Sequence, residues 1–148
     1  VGLFFSPLSL GPGLVFGLIV GYALRRAGLA GGWRYPSYIA GATISYFAAV
    51  QLSVNFLIDA IDNVVAVGII AGLFGAALLT AMSAALIPAF RRRPPIIATI
   101  AAGGILGALL YIPIEQDHFF YWLALYAPWQ AGYAAAMATA LPAEPETR

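Results

Sequence analysis

Residues 64–90 read VVAVGIIAGLFGAALLTAMSAALIPAF, and Arg91-Arg92-Arg93-Pro94-Pro95 follows directly. The run carries no charged side chain and closes on a basic cluster. Drawn out as a helix at 1.5 Å per residue, it exceeds the ~30 Å hydrocarbon core of a bilayer. Strands of membrane barrels instead alternate polar and apolar residues over ~10 positions, and no such alternation occurs here. The stretch therefore reads as a membrane-spanning helix, tilted because of its length, with a topology-setting loop behind it.

The rest of the chain repeats the pattern. Four further apolar segments lie at Val1–Leu24, Tyr38–Leu57, Ile96–Ile112 and Phe119–Leu141. Pro7 and Pro12 interrupt the first, so its regular part is expected only over Gly13–Leu24. Pro128 falls near the middle of the last. Hydrophobic residues make up 62% and charged residues 9% of the 148. A soluble fold of this size could not hide that much apolar surface. Lipid cannot satisfy a bare backbone, so spanning segments must be helices or closed barrels. The fold class is all-α: an integral membrane helical bundle of five transmembrane helices, four if the first segment is re-entrant. Residues 1–142 form the single transmembrane domain, and residues 143–148 a short polar tail.

The loops give an orientation. Arg25, Arg26 and Arg34 fall between the first two segments, and Arg91, Arg92 and Arg93 between the third and fourth. Asp59 and Asp62 follow the second, and Glu115, Asp117 and His118 the fourth. Basic loops stay in the cytoplasm. Loops 25–37 and 91–95 and the tail are thus expected inside, and the N-terminus outside. Abundant Ala and Gly, with Arg as the basic residue throughout, suggest a GC-rich bacterial genome.

Composition excludes several classes of chemistry. There is no cysteine, so thiolate metal sites, iron–sulfur clusters and covalent haem attachment within the chain are ruled out. A net charge of +1 makes no case for nucleic acid. The apolar runs carry no ionisable side chain at mid-depth, which proton relays and most ion-coupled carriers need. No G-x-S-x-G, H-E-x-x-H or phosphate-loop motif is present. The chain is not expected to be an enzyme, and no metal is expected.

What remains are packing and contact motifs. Gly13, Gly17 and Gly21 form a strip at spacing four on the first segment; Gly68 and Gly72, and Gly103 and Gly107, repeat the spacing on the third and fourth. Residues four apart share a helix face, and glycine lets two backbones approach closely. The terminal strip is expected to dock a partner helix; the plainer reading of all three is packing within the bundle. Gln51, Asn55 and Asp59 make a polar face on the second segment, suited to interhelical hydrogen bonds or a small polar site. His118, Trp129 and Gln130 are candidate contacts for a cofactor, with lipid, quinone, carotenoid or pigment as the classes considered. Arg91, Arg92 and Arg93 could hold anionic lipid headgroups.

Residues 17–50 carry a further pattern. Leu24-Arg25 ends a glycine-striped segment, Gly31-Gly32 forms a turn, Arg34-Tyr35 opens the next segment and Ser45-Tyr46 lies within it. This resembles a recurring hairpin of uncharacterised bacterial membrane proteins, in which Val-Arg, a Gly-rich turn, Arg-Tyr and Thr-Tyr occupy these places. Ser45 stands where Thr is usual, and the turn has fewer glycines. The resemblance implies a bacterial inner-membrane protein, often with a soluble N-terminal part; it carries no assigned activity.

The expected function is a non-catalytic integral membrane subunit that scaffolds or stabilises a larger complex. Its expected partners are membrane lipids and other transmembrane subunits. Two alternatives stand beside it: a facilitative channel or permease acting as a homo-oligomer, and a cofactor- or pigment-contacting subunit of an electron-transfer or light-harvesting assembly.

Overall fold

A computed structural model describes residues 7–110 and 119–139, with side chains over 9–110 and 125–139. Within these residues every regular element is helical: α1 (Pro7–Arg26), α2 (Arg34–Ala60), α3 (Val64–Leu86), α4 (Arg93–Gly107) and α5 (Phe119–Ala138). A 3-10 turn, Pro88–Arg91, joins α3 to α4, and another, Ala108–Leu110, extends α4. Three of the helical stretches are long and apolar enough to cross a membrane: Arg34–Ala60 with 27 residues, Val64–Leu86 with 23 and Arg93–Leu110 with 18. At 1.5 Å per residue these reach about 40, 35 and 27 Å.

Proline and glycine chemistry sets the boundaries. α1 is one unbroken helix from Pro7, with Pro12 inside it, rather than a regular stretch starting at Gly13. Pro12 forfeits a single backbone bond in the second turn, and the helix continues past it. α3 stops at Leu86, short of the expected Phe90, because Pro88 drives Ile87 into extended backbone (φ −129°, ψ 106°). α4 starts at Arg93 instead of Ile96, since Pro94 and Pro95 sit in its first turn, where a missing N–H costs nothing.

The helix ends are capped locally. Gly28 adopts φ 74°, the left-handed region. The Leu29 N–H then reaches Leu24 O at 2.9 Å and the Gly28 N–H reaches Arg25 O at 3.0 Å, the Schellman arrangement. Asn63 caps α3, its side chain accepting from the Ala66 N–H at 3.1 Å.

Successive helices run antiparallel. Gly13 lies against Ala42, Thr43 and Tyr46, Gly17 against Ile39 and Ala42, and Gly21 against Tyr35 and Tyr38. Gly41 meets Met82 while Gly75 meets Ala49, which sets α2 against α3. Both arginine-bearing turns therefore lie at one end of the bundle. There Leu24, Ala30, Ile87 and Phe90 share one buried cluster.

The tightest contact is between α3 and α4. A Cβ on Gly68 would collide with the Gly107 carbonyl oxygen, and one on Gly72 with that of Gly103. A Cβ on Gly103 would collide with the Ala76 side chain. The two backbones touch directly, where dispersion and weak Cα–H···O contacts hold helices together. Gly11, by contrast, has no heavy atom within 4 Å of its would-be Cβ. Gly72→Ala should lower unfolding stability in detergent by about 1–3 kcal/mol through overpacking. Gly11→Ala should be neutral or slightly stabilising. Equal melting temperatures for the two variants would refute the backbone contact.

Candidate functional site

Between the α3–α4 seam and the helices α2 and α5 the packing is incomplete. A cavity of about 320 Å³ results. Gly68, Gly72 and Gly75 of α3 and Gly107 of α4 lie on one side. Tyr46, Ala49, Val50, Ser53 and Val54 of α2 form a wall, and Leu125, Tyr126 and Trp129 of α5 another. Val54 and Ile58, 37% and 44% exposed, mark its rim. A π turn, Ser53–Leu57, runs along this wall, closed by the Ile58 N–H on Ser53 O. Such turns concentrate at functional sites.

The lining is almost wholly apolar, and its aromatic rings pack on one another. Tyr46 and Tyr126 meet edge-to-face with centroids 5.3 Å apart. Trp129 stacks on Tyr133 at 5.7 Å with an 18° interplanar angle. Among the described residues, the Tyr46 hydroxyl is the buried side-chain oxygen that meets no hydrogen-bond partner. An orphan of this kind costs ~1–3 kcal/mol.

Beside the cavity the hydroxyls are fully satisfied, and their order can be deduced. Thr99 Oγ1 lies 2.8 Å from Pro95 O and 3.0 Å from Ile96 O, both acceptors, so its single proton points to them. Thr99 must therefore accept from Thr80, 2.9 Å away. Thr80, its proton thus committed, accepts from the Tyr133 hydroxyl at 2.9 Å. The chain Tyr133→Thr80→Thr99→Pro95 ties α5, α3 and α4 together.

The residues singled out from the sequence are distributed as follows. Trp129 reaches the cavity, and its Nε1–H donates to Gly103 O at 3.1 Å. Gln130 turns away from it, with Nε2 donating to Pro12 O on α1 at 2.7 Å. His118 lies outside the described residues, as do Glu115 and Asp117. The three candidate cofactor contacts are thus not brought together. Gln51 and Asn55 bond each other, Asn55 Nδ2 donating to Gln51 Oε1 at 2.8 Å, and neither lines the cavity; Asp59 is exposed.

The terminal glycine strip does not face a partner. Gly13, Gly17 and Gly21 are all taken up by α2, because a strip that permits close approach is filled by the nearest hairpin neighbour. The basic turn is also partly engaged: Arg91 Nε donates to Ala84 O at 2.9 Å at the end of α3. Arg92 and Arg93 remain exposed. Among the described residues there is no group of three His, Cys, Asp or Glu that could hold a metal ion.

Sequence reasoning passed over Tyr46 as a cavity residue and Thr80, Thr99 and Tyr133 as a network. The available signal was isolated hydroxyls inside apolar runs, each of which must find a partner in the absence of water. No protein-family model, curated protein or solved structure matches this chain.

The deduced bond order makes an asymmetric prediction. Thr80→Val strands the Tyr133 proton and removes the donor to Thr99, so it should cost about 1–2 kcal/mol. Tyr133→Phe leaves every remaining proton bonded and should cost less than Thr80→Val. Denaturant or thermal unfolding in detergent decides it, and the reverse order would overturn the assignment.

Proposed function

We propose that this chain is a five-span integral membrane protein of the bacterial inner membrane that serves as a non-catalytic subunit of a larger membrane assembly. The observation that carries the membrane reading is the distribution of polarity. Polar side chains such as Ser45, Gln51, Ser53, Thr80, Ser83 and Thr99 are buried, while Leu14, Leu18, Ile19, Ile44, Phe56, Ile97 and Ile105 are exposed. Water would penalise that arrangement and lipid favours it.

The short turns support a structural role. Seven residues, 27–33, separate α1 from α2, and three, 61–63, separate α2 from α3. Neither can enclose an active site. α1 packs on α2 through its glycine face and offers Leu14, Leu18 and Ile19 outward to surrounding lipid and neighbouring subunits. The homo-oligomeric channel draws less support. Gln51 and Asn55 pair with each other, and the cavity described above is apolar.

The native chain lacks cysteine, so single-cysteine variants test this cleanly. Ala30 is fully buried and unsuited to labelling, whereas Gly31, Asp62 and Arg92 are exposed. Cysteine at Gly31 or Arg92 should label only from the cytoplasmic side, and cysteine at Asp62 only from outside. Reversed labelling would sink the orientation, and labelling of all three from one side the spanning topology. Gentle purification from native membrane should bring stoichiometric partner chains; a lone homo-oligomer would favour the channel.

A further inference from the structure

The cavity bounded by Tyr46, Tyr126 and Trp129 has features that packing alone leaves unexplained. Its opposite side is formed by the α3–α4 seam at Gly68, Gly72 and Gly107, where closely packed backbone makes a wall without projecting side chains. Three aromatic rings flank it, able to stack on or edge-pack against a flat molecule. Its volume, about 320 Å³, falls at the lower end of small-molecule sites. The Tyr46 hydroxyl is buried and makes no hydrogen bond of ordinary geometry, with the Tyr126 phenol as its polar neighbour.

Depth narrows the ligand further. Tyr46 lies near the middle of α2, which runs over Arg34–Ala60. On the membrane reading above, on which this inference rests, that is close to the bilayer centre. No bulk water is there to satisfy a hydroxyl. Phospholipid headgroups and ester carbonyls stay at the interface, about 15 Å away across half of a ~30 Å core. An acceptor for Tyr46 must arrive on a molecule dissolved in the membrane interior.

We propose that this cavity binds a lipid-soluble, planar, carbonyl-bearing ring of the quinone type, with the Tyr46 hydroxyl donating to a ring carbonyl and Trp129 and Tyr126 packing on the ring. The ring's apolar substituents match the Ala49, Val50 and Gly75 surroundings, and its tail leaves past Val54 and Ile58 toward lipid. The hydroxyl has no surface open to water. The ligand therefore gains it by parting Tyr46 from Tyr126, whose rings meet edge-to-face and whose phenols interact without a well-formed hydrogen bond. An acyl chain would need neither the rings nor the hydroxyl.

The test uses the purified full chain in detergent, so it does not depend on topology or partners. Trp33→Phe and Trp122→Phe leave Trp129 as the sole tryptophan reporter. Decyl-benzoquinone should quench its fluorescence saturably and raise the melting temperature, since a ligand that binds the folded state stabilises it. Tyr46→Phe should weaken decyl-benzoquinone binding about five- to tenfold, the worth of one hydrogen bond, and leave binding of decylbenzene, which has no carbonyl, unchanged. Val50→Phe, which fills the wall, should abolish saturable quenching of a protein that still melts cooperatively. Non-saturable quenching, or equal affinity in Tyr46→Phe, would overturn the proposal. So would equal quenching by a phospholipid with brominated acyl chains, which would make the cavity a lipid-tail slot. Opposite-side cysteine labelling alongside any of these failures would leave the membrane reading intact.

Discussion

The direct backbone contact between α3 and α4 governs most of what else the bundle does. Its two faces are each a row at spacing four: Gly68, Gly72, Ala76 and Thr80 on one helix, and Pro95, Thr99, Gly103 and Gly107 on the other. Running antiparallel, they bring glycine against glycine at one end, Ala76 against Gly103 in the middle, and Thr80 against Thr99 at the other end, 2.9 Å apart. Small residues let the helices close, and closure brings the two hydroxyls into bonding range. Neither alone would suffice, because across a wider gap the Thr80 proton would lose its acceptor on Thr99, and a buried donor without a partner is costly.

This seam also decides where α5 sits. Its middle exposes the Gly103 carbonyl, which accepts from Trp129, and its polar end leaves Thr80 able to accept from Tyr133. Two side chains a helical turn apart on α5 thus read two points of one seam. The third anchor, Gln130 on Pro12 O, ties α5 to α1 and closes the bundle. Helix association in lipid draws little from the hydrophobic effect and relies on such packing and polar contacts.

The sequence made the fold class and the helix segments legible because charge and apolar length are one-dimensional properties. Helix ends shifted by a few residues where Pro12, Pro88, Pro94 and Pro95 act locally. The destination of the Gly13, Gly17 and Gly21 strip was not legible. A face at spacing four states that something approaches closely, and not whether it comes from the same chain. The cavity was still less visible, since its walls come from four helices far apart in the chain. Nor does hydropathy indicate the π turn at Ser53–Leu57.

Tyr133 and Tyr46 make the sharpest comparison in the molecule. Both are tyrosines in helix interiors, both pack against aromatic rings, and both carry a hydroxyl that membrane burial would penalise. Tyr133 donates to Thr80, and the chain of bonds runs on through Thr99 to the Pro95 carbonyl one turn back in α4. Tyr46 has Ser45 beside it in sequence, but adjacent helical residues point about 100° apart and cannot serve one another. A bundle able to order three hydroxyls across three helices does not lack the means to satisfy a fourth, and phenylalanine at 46 would remove the penalty at one stroke. The unpaired hydroxyl is therefore better understood as addressed to something that enters the cavity than as a flaw in the packing.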